Sequence, residues 1–281
     1  MKKNGDKLVE AISILYEDND LVAIDKPGGV VVNNASSVSG PTIQDWWSAK
    51  ISKLSLSGNW QTLLPSDFHN EYGTPEEVFA QRSGVVHRLD KDTSGVLLLA
   101  KNPGALINLL AQFKQRQVHK TYLCLVYGRL AQTQGVIDIA LERNPRNKQK
   151  MSVSLSGRPA TTQYQLKQLF RLTESIDANQ DYLSLVECHP QSGRMHQIRV
   201  HLAYLGHPLV GDEKYAGRKR FRRHRKLISR QFLHASQVKF IHPRTNQILI
   251  IESQLPPDLT QVIQQLKFIK PLLGSHYDNN S

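Results

Sequence analysis

Cysteine is scarce in this sequence. Among 281 residues there are two, Cys124 and Cys188, and neither belongs to a Cys-x-x-Cys pair or a Cys/His cluster. This pattern argues against a disulfide framework and against a structural zinc site, and it fits a reducing compartment. Both residues fall inside apolar, strand-like runs, so we expect them to be buried as small hydrophobic side chains.

Long apolar stretches are also missing. No window approaches the length of apolar sequence that spans a bilayer, and the charged residues 1–7 are not followed by the apolar core of a signal peptide. We therefore expect a cytoplasmic protein with no membrane partner.

Acidic residues are outnumbered. The chain has 24 Asp and Glu against 36 Lys and Arg, which gives a formal net charge of +12. A surplus of this size indicates a polyanionic partner, with nucleic acid as the first candidate. The basic residues cluster at 218–226 and, in a second group, at Arg143, Arg146, Lys148, Lys150 and Arg158.

Short apolar runs joined by turns dominate the remaining pattern. They predict a hairpin over residues 12–24 and strands at 30–32, 120–127, 136–141, 161–169, 182–188, 232–241 and 248–252. Helical spacing predicts helices starting near Thr42 and at Asn102-Pro103, another over 195–205 stopped by Gly206, and a last one over 258–268. Residues 41–84 otherwise lack clear periodicity. The pattern predicts an α+β fold with a large mixed, mostly antiparallel sheet and a few flanking helices.

One segment stands out for its chemistry: His-Arg-Leu-Asp-Lys-Asp-Thr-Ser-Gly, at residues 87–95, runs directly into the apolar residues 96–100. It puts the carboxylate of Asp90 at the mouth of a buried strand, where a charge needs a cationic partner to offset its desolvation. Taken alone, such an Asp is most often a solvated turn residue. With a partner, it is a candidate for catalysis.

Several other chemistries fit poorly. Ser94 lacks the Gly-x-Ser-x-Gly surroundings of a hydrolase nucleophile, and the glycines after Lys26-Pro27 lack the Gly-Lys-Ser/Thr ending of a phosphate loop. His196 and His201 are five residues apart, so a helix would separate them, and we expect no metal site.

The order of the motifs resembles that of the RluA-type RNA pseudouridine synthases. Similar segments begin at Lys26 (KPGGVVVN), His87 (HRLDKDTSG), Lys120 (KTYLCLVYG, with Cys where Ala is usual), Ser192 (SGRMHQIRVH) and Gly206 (GHPLVGDEKY), and the closing strands also match. The resemblance covers about residues 12–268. It implies a catalytic domain at 12–270, built around a central cleft, between tails at 1–11 and 271–281. Because the matching segments begin near residue 12, we expect this chain to lack the RNA-binding module that precedes the domain in many relatives.

The resemblance also implies roles for five residues. Asp90 would be the catalytic nucleophile and Arg199 its bidentate cationic partner. Tyr122 would stack on the target base, Ile198 would line the uracil pocket, and Arg88 would fill the space left by the flipped-out nucleotide. We further expect the basic run to contact the RNA backbone, with Arg218, Arg220, Arg222 and Arg223 as candidates, although a solvated loop is the alternative for that run.

By the same resemblance, the protein would isomerise uridine to pseudouridine in ribosomal or transfer RNA without a cofactor or a metal, most simply as a monomer. Two alternatives stay open. The chain could be a catalytically idle RNA-binding or ribosome-assembly protein that uses the same cleft, or a nucleoside hydrolase, which would release free uracil.

Overall fold

The structure is a computed structural model that describes residues 12–36, 38–52, 59–70, 73–171 and 182–269. The expected tails at 1–11 and 271–281 lie outside these ranges. None of the helices within them is long and apolar enough to cross a membrane.

Twelve strands and six helices occur in the described ranges. The strands are β1 (Ser13–Glu17), β2 (Leu21–Lys26), β3 (Ser94–Ala100), β4 (His119–Tyr127), β5 (Gln134–Asp138), β6 (Leu141–Arg143), β7 (Met151–Val153), β8 (Thr161–Arg171), β9 (Tyr182–Pro190), β10 (Leu233–Ile241), β11 (Ile248–Glu252) and β12 (Lys267–Ile269). The helices are α1 (Ile43–Ile51), α2 (Pro75–Arg82), α3 (Pro103–Lys114), α4 (Gln197–Tyr204), α5 (Arg218–His224) and α6 (Pro257–Gln264).

Ten strands form one mixed sheet in the order β1-β2-β3-β10-β4-β9-β8-β12, with β11 paired to β10 and β5 to β8. The pair β3–β10 is parallel and the other pairs in this sheet are antiparallel. Strands β6 and β7 form a separate hairpin. The predicted α+β class and mostly antiparallel sheet are therefore confirmed.

The sheet is covered by helices on both faces, and this covering makes the core. Ile43 and Trp47 of α1 pack against one face of β2 and β3, while Leu106 and Leu109 of α3 pack against the other. Further along the sheet, α4 and α6 cover opposite faces of β4 in the same way. Each helix contributes an apolar stripe, as helical spacing requires.

One predicted strand is wrong, and one predicted helix ends earlier than expected. Residues 30–32 do not form a strand: they lie in a loop, in which the carbonyls of Val31 and Val32 accept hydrogen bonds from the first amides of α1. The last helix ends at Gln264, and Phe268 lies in β12, which pairs with β8. The helical spacing of apolar residues continues in the sequence to Phe268, but the chain leaves the helix after Gln264 and residues Lys267–Ile269 pair with β8 instead.

Other boundaries shift. Helix α4 begins at Gln197 rather than 195, because His196 has a φ of 55° and interrupts the helix. The run 136–141 divides between β5 and β6. Within 41–84, where periodicity was weak, the structure has α1, a 3₁₀ turn at Trp60–Leu63 and α2. Both cysteines are buried as expected, and their Sγ atoms lie 3.5 Å apart.

Candidate active site

Asp90 lies in a loop that ends where β3 begins. The loop closes on itself through the Thr93 amide, which donates to the Asp90 carbonyl at 3.1 Å. On one side of this loop, the amine of the fully buried Lys26 side chain donates to the carbonyls of Lys91 at 3.0 Å and Val30 at 2.9 Å. These hydrogen bonds from a buried side chain fix the backbone next to Asp90.

The other side of the loop contacts β10 and the segment that leads into it. Arg230 donates to the Asp92 carbonyl at 2.8 Å and to the Ser94 hydroxyl at 3.2 Å. Gly95 has a φ of 112°, and a Cβ there would lie 2.2 Å from the Ala235 carbonyl oxygen. Because glycine alone fits this close approach, β3 and β10 can pair in parallel directly behind the carboxylate.

Helix α4 brings a guanidinium to this carboxylate. Arg199 Nη1 donates to Asp90 Oδ2 at 2.9 Å, although 109 residues separate the two in sequence. The Arg199 side chain is 6% exposed and that of Asp90 is 20% exposed. The ion pair is therefore partly desolvated on one side and open to the cavity on the other.

The bidentate partner of Arg199 is Asp212, which the sequence analysis did not single out. Its carboxylate is fully buried and accepts from Arg199 Nε at 2.7 Å and Nη2 at 2.9 Å. The expectation of a two-pronged Arg199–Asp90 contact is thus corrected: Asp90 receives one hydrogen bond. Burial opposes the charge on Arg199, but Asp212 and then Asp90 raise its pKa above the ordinary value. The guanidinium stays charged.

Asp90 and Arg199 line a cavity of about 610 Å³. This is the volume of a site for a small ligand or a single nucleotide. Its wall comes from the Asp90 loop, the end of α3, β4 and the segment leading into α4, with these residues among those lining it: His87, Arg88, Asp90, Thr93, Phe113, Lys114, Arg116, Lys120, Tyr122, Arg194, His196, Ile198 and Arg199.

All five residues that the resemblance singled out line this cavity. Tyr122 is half-buried on β4, Ile198 is buried on α4, and Arg88 is exposed at the opening. Burial raises the pKa of the Tyr122 phenol, and the nearby Asp90 acts in the same direction. The phenol is therefore protonated in the free protein and presents its ring and a hydroxyl donor.

Four further cations line the cavity that the sequence analysis did not assign to it: Lys114, Arg116, Lys120 and Arg194. Burial lowers the pKa of Lys120 to about 8. In the sequence, Lys114 and Arg116 come at the end of the helix predicted from Asn102-Pro103. Charged residues in that place indicate only a solvated helix face, so they did not point to the cavity.

The basic run at 218–226 lies elsewhere. Its helix α5 contacts the end of β4, where the Tyr127 hydroxyl donates to the Arg220 carbonyl at 3.5 Å. Tyr122 is five residues earlier on the same strand, about 17 Å away at ordinary strand rise. Arg218, Arg220 and Arg222 are exposed but do not line the cavity, and the side chain of Arg223 lies outside what is described.

Within the described ranges, one group of side chains comes close enough to share a metal ion: Asp18, Asp20 and His242. In the structure, these side chains form hydrogen bonds and ion pairs with one another and with Arg244. His242 Nε2 lies 2.6 Å from Asp18 Oδ2, and Arg244 donates twice to Asp20 at 2.6 Å. The guanidinium supplies the positive charge there, so the cluster ties the β1–β2 turn to the β10–β11 turn.

Comparisons with known proteins converge on one family. A family model described as RNA pseudouridylate synthase matches residues 20–204. "Ribosomal large subunit pseudouridine synthase D" of Nitrosomonas europaea is 36% identical over 259 residues, which are 91% of this chain and 65% of that protein. The chain thus spans just under two thirds of that relative's length.

Two further comparisons agree. "Uncharacterized RNA pseudouridine synthase YlyB" of Bacillus subtilis is 34% identical over 257 residues, which are 91% of this chain and 73% of that protein. The solved structure of "Human RNA Pseudouridylate Synthase Domain Containing 1" aligns with a TM-score of 0.65 over 98% of this chain and 94% of that one, at 23% identity. At 23% identity, this structural alignment shows that the two chains share a fold.

Proposed function

Because the chain belongs to the RNA pseudouridylate synthase family, in its RluA-type branch, we propose that it isomerises uridine to pseudouridine in RNA with Asp90 as the nucleophile. The reaction breaks the bond between N1 and the ribose C1′, turns the base, and joins C5 to C1′. A proton leaves C5 and one is gained at N1, so no atom is added or lost.

The observation that carries the proposal is the 2.9 Å contact of Arg199 with Asp90 Oδ2 at the wall of the cavity. A carboxylate can attach covalently and leave again, but it must be ionised to attack. Arg199 places a positive charge beside Oδ2, and its hydrogen bond to Oδ2 leaves Oδ1 available to the substrate. Attack on the ribose and attack on the base are both compatible with this arrangement.

The neighbouring residues fit a flipped-out uridine. A base inside folded RNA is accessible only after it leaves the stack, and splayed bases stack on aromatic side chains. We propose that Tyr122 provides that ring, that Ile198 contacts the uracil, and that Arg88 at the opening fills the gap in the RNA. The volume of about 610 Å³ suits one nucleotide.

We propose RNA of the large ribosomal subunit as the substrate. Relatives from Nitrosomonas europaea and Xylella fastidiosa are both named large-subunit synthases, at 36% and 35% identity. The cations that line the cavity, Lys114, Arg116 and Arg194, suit the phosphates that flank an everted nucleotide.

Pseudouridine mapping across total RNA from cells with and without the protein tests this function. We expect one or a few uridines of large-subunit ribosomal RNA to lose their modification when the protein is absent. A map that is identical in both strains would contradict the proposal, and so would free uracil released from RNA by the purified protein.

The basic run should contribute to RNA affinity through phosphate contacts. In a double variant, Arg218→Gln with Arg222→Gln, the slope of log K against log salt should fall by about 1.5 units, since each lost phosphate contact removes about 0.7–0.9. Filter binding with a large-subunit ribosomal RNA transcript at several salt concentrations measures this slope.

The matched control for this experiment is Lys50→Gln with Lys167→Gln, which removes two exposed charges from other elements. We expect the control to keep the wild-type slope. If the Arg218/Arg222 variant also keeps it, the run at 218–226 is not part of the RNA interface.

A further inference from the structure

His196 adopts a backbone conformation that costs energy. Its φ of 55° and ψ of 20° place it in the left-handed region, immediately before α4. Histidine enters this region more readily than most residues, but glycine does so without the cost of about 1 kcal/mol. A strained residue at a cavity wall suggests that its side chain is needed there.

The contacts of His196 favour one of its two neutral tautomers. The Met151 amide donates to the Tyr215 hydroxyl oxygen at 2.8 Å, so this oxygen already acts as an acceptor. The hydroxyl lies 2.8 Å from His196 Nδ1, and the described residues offer its proton no other acceptor. This arrangement favours Tyr215 as the donor to Nδ1, with the single ring proton on Nε2.

The Nε2 atom points towards the reacting carboxylate. It lies 3.8 Å from Asp90 Oδ2, and both side chains line the same cavity. Burial lowers the pKa of His196 to about 4; Arg199 and Lys214 act in the same direction, against the opposing effect of Asp90. The imidazole is therefore neutral near pH 7 and presents one N–H donor.

We propose that His196 is a catalytic residue whose neutral Nε2–H donates a hydrogen bond to a carbonyl oxygen of the uracil during the reaction. This inference rests on the proposed function and adds to it a donor for the base. Tyr215 is its positioning residue, because the Tyr215 hydroxyl sets the tautomer and the orientation of the ring.

The chemistry needs such a donor on either route. If the C1′–N1 bond breaks, its electron pair stays with the base, and the negative charge spreads onto the carbonyl oxygens. If Asp90 adds to C6 instead, the electron pair of the C5–C6 double bond moves to give an enolate on the C4 oxygen. On either route, a fixed donor aimed at a carbonyl oxygen of the base stabilises the negative charge as it develops. The proton stays on Nε2 throughout.

Two substitutions separate this role from a structural one. The amide nitrogen of glutamine in His196→Gln reaches the position of Nε2, whereas that of asparagine in His196→Asn reaches only the position of Nδ1, next to Tyr215. Asparagine also tolerates the left-handed region, so the Asn variant should fold. His196→Gln thus keeps a donor towards the cavity, whereas His196→Asn keeps the contact with Tyr215. Comparing their rates shows which of the two contacts the reaction depends on.

We expect single-turnover rates on a large-subunit ribosomal RNA transcript to fall about 100-fold in His196→Asn and less than about 10-fold in His196→Gln. The transcript affinity should match wild type in both, the thermal midpoint should match wild type in His196→Asn, and the exposed His69→Ala serves as control. Equal rates in the two variants, or a faster Asn variant, would overturn the proposal.

The tautomer gives a readout that needs no substrate. In ¹⁵N-histidine-labelled protein, long-range ¹H–¹⁵N correlation spectra assign the ring protons, and His196→Gln identifies the signals of His196. We expect a neutral Nε2–H ring from pH 6 to 8. An imidazolium or an Nδ1–H ring would overturn the donor role even if the wild-type protein forms pseudouridine, whereas failure of the proposed function would appear as an inactive wild type.

Discussion

Asp90→Asn is expected to bind RNA as wild type does and to form no pseudouridine. The amide has the size of the carboxylate and stays beside Arg199, but it is a poor nucleophile and cannot form and release the covalent intermediate. The measurement is a single-turnover assay of pseudouridine on a large-subunit ribosomal RNA transcript, together with the affinity for that transcript.

The matched control is Asp92→Asn, two residues along the same loop. It makes the same change of charge, but its side chain does not line the cavity. We expect it to keep most of the wild-type rate. Pseudouridine formation by the Asp90 variant would contradict the nucleophile assignment, and a wild type that binds RNA without forming pseudouridine would favour the idle RNA-binding alternative.

Arg199→Ala should abolish turnover and also destabilise the fold. The loss of turnover follows from the contact with Asp90, the partner that the resemblance implies for Arg199. The structure adds Asp212, which is fully buried and would be left with an uncompensated charge. Breaking a buried pair in this way costs about 3–5 kcal/mol. Urea unfolding measures this cost, and the RNA assay measures the rate.

A double variant distinguishes the two effects. Arg199→Met with Asp212→Asn removes both buried charges, so it should recover much of the lost free energy of unfolding. Its turnover should stay low, because Asp90 still lacks a counter-charge. Lys167→Met, which breaks an ion pair whose lysine is 43% exposed, is the control and should change stability by less than about 1 kcal/mol.

Either of two results would contradict this division of roles. One is an Arg199→Ala protein as stable as wild type, which would mean that Asp212 does not depend on the guanidinium. The other is a double variant with restored turnover, which would mean that Asp90 works without Arg199.

Local features of the site were predictable where neighbours in sequence decide them. A turn followed at once by an apolar run places Asp90 at the mouth of β3, and every residue of that strand is buried. Helical spacing located α3 and the core of α4. Phe268 shows the limit, because the same spacing continues into a residue that pairs with β8.

Contacts between distant segments were not predictable from pattern. The pairing of Asp90 with Arg199 was expected through the family resemblance, and its one-pronged geometry was not. Asp212 lay inside a quoted motif, yet nothing in the motif indicated that it is buried or that it takes the fork of Arg199. His196 was considered and set aside as a metal ligand, before its contact with Tyr215 was known.

By itself, the sequence determined the family and the class of fold and supplied the candidates for the reactive groups, because these depend on residue order and on local apolar patterns. The tertiary structure alone decided which groups share Arg199 and which nitrogen of His196 faces Asp90. The reason is physical. A hydrogen bond requires its two atoms to lie within about 3 Å of each other, and the spacing of distant segments along the chain does not show which of their atoms folding brings that close.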